Sequence, residues 1–189
     1  MPHKPVQYRS LATYEKLLDA AGELLAEEGV ERISTNRIAD RAGVTPPTLY
    51  HYFEDKYAVL TALGKRLMDA QNALVALDPA QDEVTIAKTL LDHVELTRKS
   101  AGGPWVMRML RAVPQLAEVR LSSHRALAEA LAERALALNP QKGRASLVLR
   151  ARLAVDLGYA AIELVFDEPE LDREEVMADA ARAIRALLL

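Results

Sequence analysis

The stretch Ser34–Lys56, STNRIADRAGVTPPTLYHYFEDK, leaves a chain little freedom in how it folds. Ser34 or Thr35 can cap a short helix whose apolar positions are Ile38, Ala39 and Ala42. Gly43 then stands where a helix ends on a left-handed residue, a conformation glycine adopts without a Cβ clash. Val44 can tuck between the helices, and Thr45 can cap the next one, with Pro46 at its first position, where a missing N–H costs nothing. The pattern predicts two short helices joined by a tight turn, a helix-turn-helix. The second is too short to matter for bulk stability, and its Thr, Tyr and His content suits a surface that presents polar side chains to DNA.

The rest of the chain must supply a fold around this element. Its 189 residues are 50% hydrophobic but only 5% aromatic, with abundant Ala and Leu and sparse Gly, a profile that predicts an all-α protein. The absence of cysteine excludes disulfides, thiolate chemistry and Cys-ligated zinc. The first ten residues hold no apolar run, and charges interrupt every long hydrophobic segment, so neither a secretory signal nor a membrane span is expected, and a cytoplasmic location follows. The net charge of -3 does not suggest a nucleic-acid partner by itself. The N-terminal third is close to neutral and the remainder carries the negative balance, so DNA binding must rest on a few well-placed cations.

Helical periodicity divides the chain further. An arm to about Ser10 is expected to be mobile, followed by a helix from about Leu11 to Glu28 with Tyr14, Leu17, Leu18, Ala21, Leu24 and Leu25 on one face. Glu54 and Asp55 open a fourth helix that should continue to about Leu77. It spans an expected domain boundary near residue 65, between an N-terminal domain (1–65) and a C-terminal one (66–189). Further helices are predicted over 83–99, around Trp105–Leu110, over 122–137, over 144–166 and over 172–188, the last opened by a capping-box-like Asp172 and Glu175. About nine helices result, with no strand alternation of useful length.

From Tyr14 to about Leu63 the chain resembles the TetR family of bacterial transcriptional regulators. The segments YEKLLDAAGELLAEEGVERIST, RIADRAGV and PTLYHYFEDKYAVLTAL carry the likeness, with apolar, Gly, aromatic and Lys positions in register. The C-terminal two thirds match nothing specific, as is usual where that region varies widely. The resemblance implies an N-terminal three-helix DNA-binding domain and a C-terminal helical domain for effector binding and dimerisation. It implies a homodimer whose two N-terminal domains enter successive major grooves of a palindromic operator, about 34–36 Å apart. Carried over by position, Thr35, Asn36 and Arg37 open the supporting helix and face backbone or base edges, Thr45, Pro46, Pro47, Thr48, Tyr50, His51 and Tyr52 surround the recognition helix, and Lys56 starts the fourth helix. The Thr45-Pro46-Pro47 run and Asn36 depart from common family patterns, which leaves the operator sequence open.

Their chemistry divides the labour. The Thr48 and Tyr50 hydroxyls, helix N-terminal N–H groups and Lys56 suit phosphates, which position a protein without reading sequence. Arg37 can do the same or reach guanine, whose O6/N7 pair its planar fork matches. Asn36 can pair with adenine, while Pro46, Pro47 and the Thr48 methyl can meet thymine methyls.

In the C-terminal part, Leu147–Phe166 is hydrophobic on more than one face. Leu149, Leu153, Leu157, Ala160 and Leu164 form one stripe, and a helix serving a single core needs only one. The surplus, with Ala180, Ile184 and Leu187 of the last helix, predicts a subunit interface; the family pattern is similar, with the last two helices of each subunit forming a four-helix bundle. If the family pattern holds, residues 83–137 enclose an effector cavity. Its lining candidates are His93, Trp105, Met109 and Leu110, with Met68 and Tyr159, and they suit a small apolar or amphipathic molecule.

Other classes find less support. The histidines at 3, 51, 93 and 124 are scattered, no His-Glu-x-x-His occurs, and the adjacency of Ser122, Ser123 and His124 is not triad geometry. No catalytic residue, metal site or cofactor is expected. The expected function is a homodimeric repressor released from its operator by a small molecule that shifts the fourth helix; the alternative is an effector-independent or protein-controlled regulator or activator.

Overall fold

The computed structural model describes residues 8–138 and 140–188, with side chains described from Ser10 onward. The fold is all-α. Helices α1 (Tyr8–Glu28), α2 (Thr35–Ala42), α3 (Pro46–Tyr52), α4 (Lys56–Asn72), α5 (Glu83–Lys99), α6 (Gly103–Ala112), α7 (Ala117–Leu138), α8 (Arg144–Asp167) and α9 (Arg173–Leu188) are joined by turns, two of them single 3-10 turns at Val30–Arg32 and Pro114–Leu116. Among the described residues there is no strand, and no helix is long and apolar enough to cross a membrane.

Three boundaries differ from those the sequence predicts, each for a local reason. Helix α1 begins at Tyr8, so residues 8–10 of the expected arm are helical; residues 1–7 lie outside the described residues. Helix α4 stops at Asn72 rather than near Leu77. The Leu74 N–H donates to Gln71 O and the Val75 N–H to Asn72 O, both at 3.1 Å, i→i+3 bonds that tighten and close a last turn. Helix α7 starts at Ala117 rather than Ser122, because Pro114 opens a 3-10 turn whose buried Leu116 leads directly into it.

Two compact units result. The first holds the described residues up to Met68 together with Arg98–Arg120; the second holds Asp69–Thr97 and Leu121 onward. The core of the first unit is built on α1, which buries Tyr14, Leu17, Leu18, Ala21, Leu24 and Leu25, the face its periodicity predicts. Against it lie Ile38, Leu49, Phe53, Leu60 and Leu63, all essentially solvent-free. Helix α6 joins this unit through glycine contacts. A Cβ on Gly22 would stand 2.4 Å from Ala101 O, and one on Gly64 would stand 2.7 Å from a Leu110 methyl. The second unit packs α8 and α9 on α5 and α7, burying Leu147, Ala151, Ala154, Val155, Tyr159 and Ile162 of α8 and Met177, Ala181 and Ile184 of α9. A buried Gln71–Thr97 bond of 2.8 Å satisfies polar groups within it.

Candidate nucleic-acid interface and effector cavity

The turn between α2 and α3 is built as its sequence requires. The Ser34 hydroxyl accepts from the Arg37 N–H at the start of α2. At the other end Gly43 takes φ 67°, and the N–H groups of Gly43 and Val44 return to Asp40 O and Ala39 O at 3.1 and 3.0 Å, a paired closure that depends on the left-handed glycine. Thr45 precedes α3 in an extended conformation; its hydroxyl pairs with the Thr48 hydroxyl at 2.9 Å instead of capping a backbone N–H. Leu49 and Phe53 anchor α3 in the core, Phe53 stacked on Tyr14 at 5.1 Å. The Asp55 carboxylate accepts from the Ala58 N–H at 2.8 Å and caps α4.

This anchoring decides which residues face outward. Asn36, Arg37, Thr45, Pro47, Tyr50 and His51 are exposed, Tyr50 at 53%, while Thr35, Pro46, Thr48, Tyr52 and Lys56 are half-buried. The half-buried members do structural work as well. The Thr35 and Tyr50 hydroxyls bond at 2.9 Å and tie the first residue of α2 to α3. The Tyr52 hydroxyl bonds Ser10 at 2.9 Å, while its ring packs edge-on to Tyr14. Lys56 Nζ donates to Val30 O at 3.4 Å and lies over the Tyr57 ring.

Cations around this surface divide into two groups. Arg41 forks onto Glu27 and also meets Glu23, bonds that hold the guanidinium pKa above its ordinary value and the Glu27 carboxyl below its own. Arg66 bridges Glu15 and Asp19 at 2.9 Å each. Both therefore serve α1. Arg37 pairs with Glu28 and also donates to Arg32 O, but stays about half exposed beside Asn36.

In the second unit, α5, α7, α8, α9 and the loop after α4 line a partly open cavity of about 90 Å³. Its walls are Ile86, Thr89, Leu90 and His93 from α5, Leu127 and Leu131 from α7, Ala154, Val155, Gly158, Tyr159 and Ile162 from α8, and Ile184 and Leu188 from α9; Val75, Ala76, Asp78 and Gln81 of the loop complete it. Burial pushes the His93 pKa down, while bonds to the Thr89 and Gln71 carbonyls act in the opposite direction. Its Nδ1–H donates to Thr89 O at 2.7 Å. Tyr159 is 5% exposed, burial pushes its phenol pKa up, and His124 stacks on its ring at 4.2 Å. His124 in turn donates from Nδ1 to Asp156 at 2.7 Å, and Arg152 holds the other Asp156 oxygen at 3.1 Å.

The structure brings only two of the expected effector residues, His93 and Tyr159, to this cavity. Met68, Met109 and Leu110 are buried in the core of the first unit, and Trp105 is 45% exposed with Arg108 over its ring. Of the expected interface residues, Leu153, Ala160 and Leu164 are exposed and Leu157 and Leu187 half-buried, whereas Ala180 and Ile184 point into their own unit. Leu153 is 49% and Leu149, on the same stripe, 61% exposed.

The sequence model of the bacterial regulatory proteins of the tetR family matches residues 17–63, which contain α2, α3 and the turn between them. The chain belongs to the TetR family. It is a DNA-binding transcriptional regulator. The similarity extends beyond the reading head: the HTH-type transcriptional regulator UidR of Escherichia coli K12 is 27% identical over 188 residues, covering 95% of this chain and 94% of UidR. The same fold occurs in a TetR-family regulator from Streptomyces coelicolor (TM-score 0.70, 21% identity, 93% of this chain and 80% of that one). It recurs in SmeT, solved in complex with triclosan (TM-score 0.69, 23% identity, 93% and 90%).

In this TetR-family chain the cavity wall is the part that sequence reasoning misses. Ala151, Ala154 and Gly158 recur along the inward face of α8, flanking Tyr159. Small residues beside one large aromatic on a buried helix face were the available signal, since they leave space that longer side chains would fill.

Proposed function

We propose that the chain is a homodimeric repressor that holds a palindromic operator through α2 and α3 and leaves it when a small molecule occupies the cavity of the second unit. The observation that carries this reading is the division of α8 into two apolar faces. One face, with Ala154, Val155, Gly158, Tyr159 and Ile162, walls the cavity. The other carries Leu149, Leu153, Leu157, Ala160 and Leu164 at helical spacing and is left largely uncovered in a single chain. A second copy related by a two-fold axis covers such a stripe with its own. Occupation of the cavity, which the loop after α4 helps to line, then shifts α4 and with it the spacing of the two reading heads. Triclosan bound to SmeT, a protein of the same fold, supports a small-molecule effector.

In this reading residues 1–65 bind DNA and 66–189 bind effector and partner. Tyr50, Thr48 and Lys56 hold phosphates, and Asn36, Arg37, Pro47 and His51 meet base edges. An effector shifts the equilibrium only by binding the released conformation more tightly than the DNA-bound one.

The test is selection of bound fragments from a genomic library by purified protein, together with sedimentation. Inverted repeats with half-sites about one turn apart are expected, bound by a species of twice the 20.8 kDa chain mass. A single-chain species at micromolar concentration, or selected sites without symmetry, would refute the dimeric reading.

A further inference from the structure

Charge on α8 is divided end to end. Its first half holds Arg144, Arg150 and Arg152 and no acid; its second holds Asp156, Glu163 and Asp167 and no base. At the two ends, Arg144 in the first turn and Asp167 in the last oppose the helix's own dipole, which favours acids at the start and bases at the end. Local ion pairs occupy part of this charge: Arg144 meets Glu133 at 2.7 Å and Arg152 meets Asp156 at 3.1 Å. Arg150 is exposed and has no such partner among the described residues.

Arg150 also begins a seam. Arg150, Leu153, Leu157, Ala160, Leu164 and Asp167 follow one another at alternating steps of three and four residues, all exposed except the half-buried Leu157. That alternation keeps a row of side chains on one line of a helix and is the spacing by which two helices pair along their length. The row is apolar in the middle, cationic at one end and anionic at the other.

We infer that this row is covered by α8 of a second copy running antiparallel, in a register that sets Arg150 against the partner's Asp167, Leu153 against the partner's Leu164 and Leu157 against the partner's Ala160. The inference rests on the reading of the outer face of α8 as the subunit interface. All three pairs share one two-fold axis, between Leu157 and Ala160, and each occurs twice. The small Ala160 opposite Leu157 lets the helices approach closely at that axis. A parallel arrangement would instead set Arg150 against its own copy and Asp167 against its own, like charges at both ends. The ion pairs lie at the rim, where they fix orientation more than affinity; the leucines between them supply the apolar contact.

Cross-linking tests the direction, and the chain has no cysteine of its own to interfere. Leu153 and Leu164 are about 16 Å apart along α8, whereas a disulfide needs Cα atoms within about 7 Å. A mixture of Leu153→Cys and Leu164→Cys chains, left to exchange subunits, should form oxidised dimers, and neither variant should do so alone. Parallel pairing gives the reverse. A charge swap tests the register by sedimentation. Arg150→Asp and Asp167→Arg should each weaken dimerisation about tenfold, and the double variant should recover most of the loss. The two positions of one chain lie about 25 Å apart along the helix, so their coupling must arise between copies.

Cross-linking of either variant with itself, or a double variant no tighter than the single ones, overturns the antiparallel register while the dimer stands. A dimer in which neither the single variants nor their mixture cross-links has its interface elsewhere and overturns the inference as well. A native chain that sediments at 20.8 kDa at micromolar concentration removes the dimeric reading itself, and this inference with it.

Discussion

In the first unit, Tyr14, Leu49, Phe53 and Leu60 are buried, Phe53 stacks on Tyr14, and the mid-helix glycines are crowded, Gly22 by the Ala101 backbone and Gly64 by the Leu110 side chain. In the second, Ala154 and Gly158 face Leu90, Leu131 and Ile184 and leave a cavity between them. Both units are helical and both use glycine in mid-helix, yet Gly22 and Gly64 are crowded while Gly158 borders a cavity. A reading head must hold its side chains in one arrangement against a rigid partner, so tight anchoring beneath α3 serves it. A binding chamber needs the opposite, room bounded by walls that can take up a guest.

The sharpest way to break this contrast is to remove a large side chain from the core of the first unit. Phe53 is 1% exposed and stacked on Tyr14, so Phe53→Ala should destabilise the protein by about 3–5 kcal/mol in urea unfolding and weaken DNA binding with it. A loss under about 1 kcal/mol would mean that the space beneath α3 collapses easily, and the contrast would fail.

On the outer face of α8, Leu157→Asp places a charge in the stripe proposed to meet its own copy. Two like charges near a two-fold axis should drive the protein to single chains and lower operator affinity about 100-fold at fixed concentration. Sedimentation and a mobility-shift titration read both effects. A variant that stays dimeric moves the interface elsewhere.

One substitution made twice compares the units directly. Gly22 and Gly158 both lie inside helices, where alanine is intrinsically favoured by up to about 1 kcal/mol. At Gly22 the new Cβ would stand 2.4 Å from the Ala101 carbonyl oxygen, a backbone atom, so Gly22→Ala should cost about 1–3 kcal/mol as α1 and the start of α6 part. At Gly158 the nearest atoms are the Leu90 and Ile184 methyl ends, at 3.3 and 3.6 Å. Gly158→Ala should therefore be neutral or stabilising by about 0.5–1 kcal/mol. Equal signs in thermal unfolding would show that the two helices are packed alike after all.

These positions also show what was legible in the sequence. Ser34, Gly43, Asp55 and the apolar spacing of α1 act within a few residues of themselves, so the helix-turn-helix could be placed nearly residue by residue. The cavity could not. Trp105, Met109 and Leu110 looked like lining because they are large and soft, but α6 is tied into the first unit by Gly22 and Gly64, a contact between segments tens of residues apart. His93 and Tyr159 are picked out by residue type and do line the cavity, while nothing in the sequence marks Leu90 or Leu131, and Ile184, expected at the subunit interface, lines it too. Ile184 also shows the limit of stripe arguments: periodicity assigns a helix its apolar faces but not which of them meets another chain.

Within the reading head, Lys56 holds Val30 O and lies beside Tyr57, so its phosphate role competes with a structural one. Lys56→Ala should weaken binding to all DNA sequences alike and reduce the slope of log affinity against log salt by about 1. An unchanged slope with a lowered melting midpoint would leave only the structural role.

The smallest effect belongs to His93 on the cavity wall. Burial holds its folded-state pKa below the ordinary 6.5, so above pH 6.5 the ring is neutral in both folded and unfolded chains and its contribution to stability is fully present. As the pH falls through 6.5 the unfolded chain takes up a proton first, which favours unfolding; the loss grows until the folded pKa is reached and then levels off. Melting midpoints between about pH 7.5 and 5 should therefore fall more steeply for the native chain than for His93→Gln, whose amide can still donate to Thr89 O. His124 and its Asp156 partner are present in both proteins, so the difference isolates His93. Parallel curves would mean that the Thr89 and Gln71 carbonyls hold the protonated ring as well as water does. The cavity wall would then tolerate a buried cation.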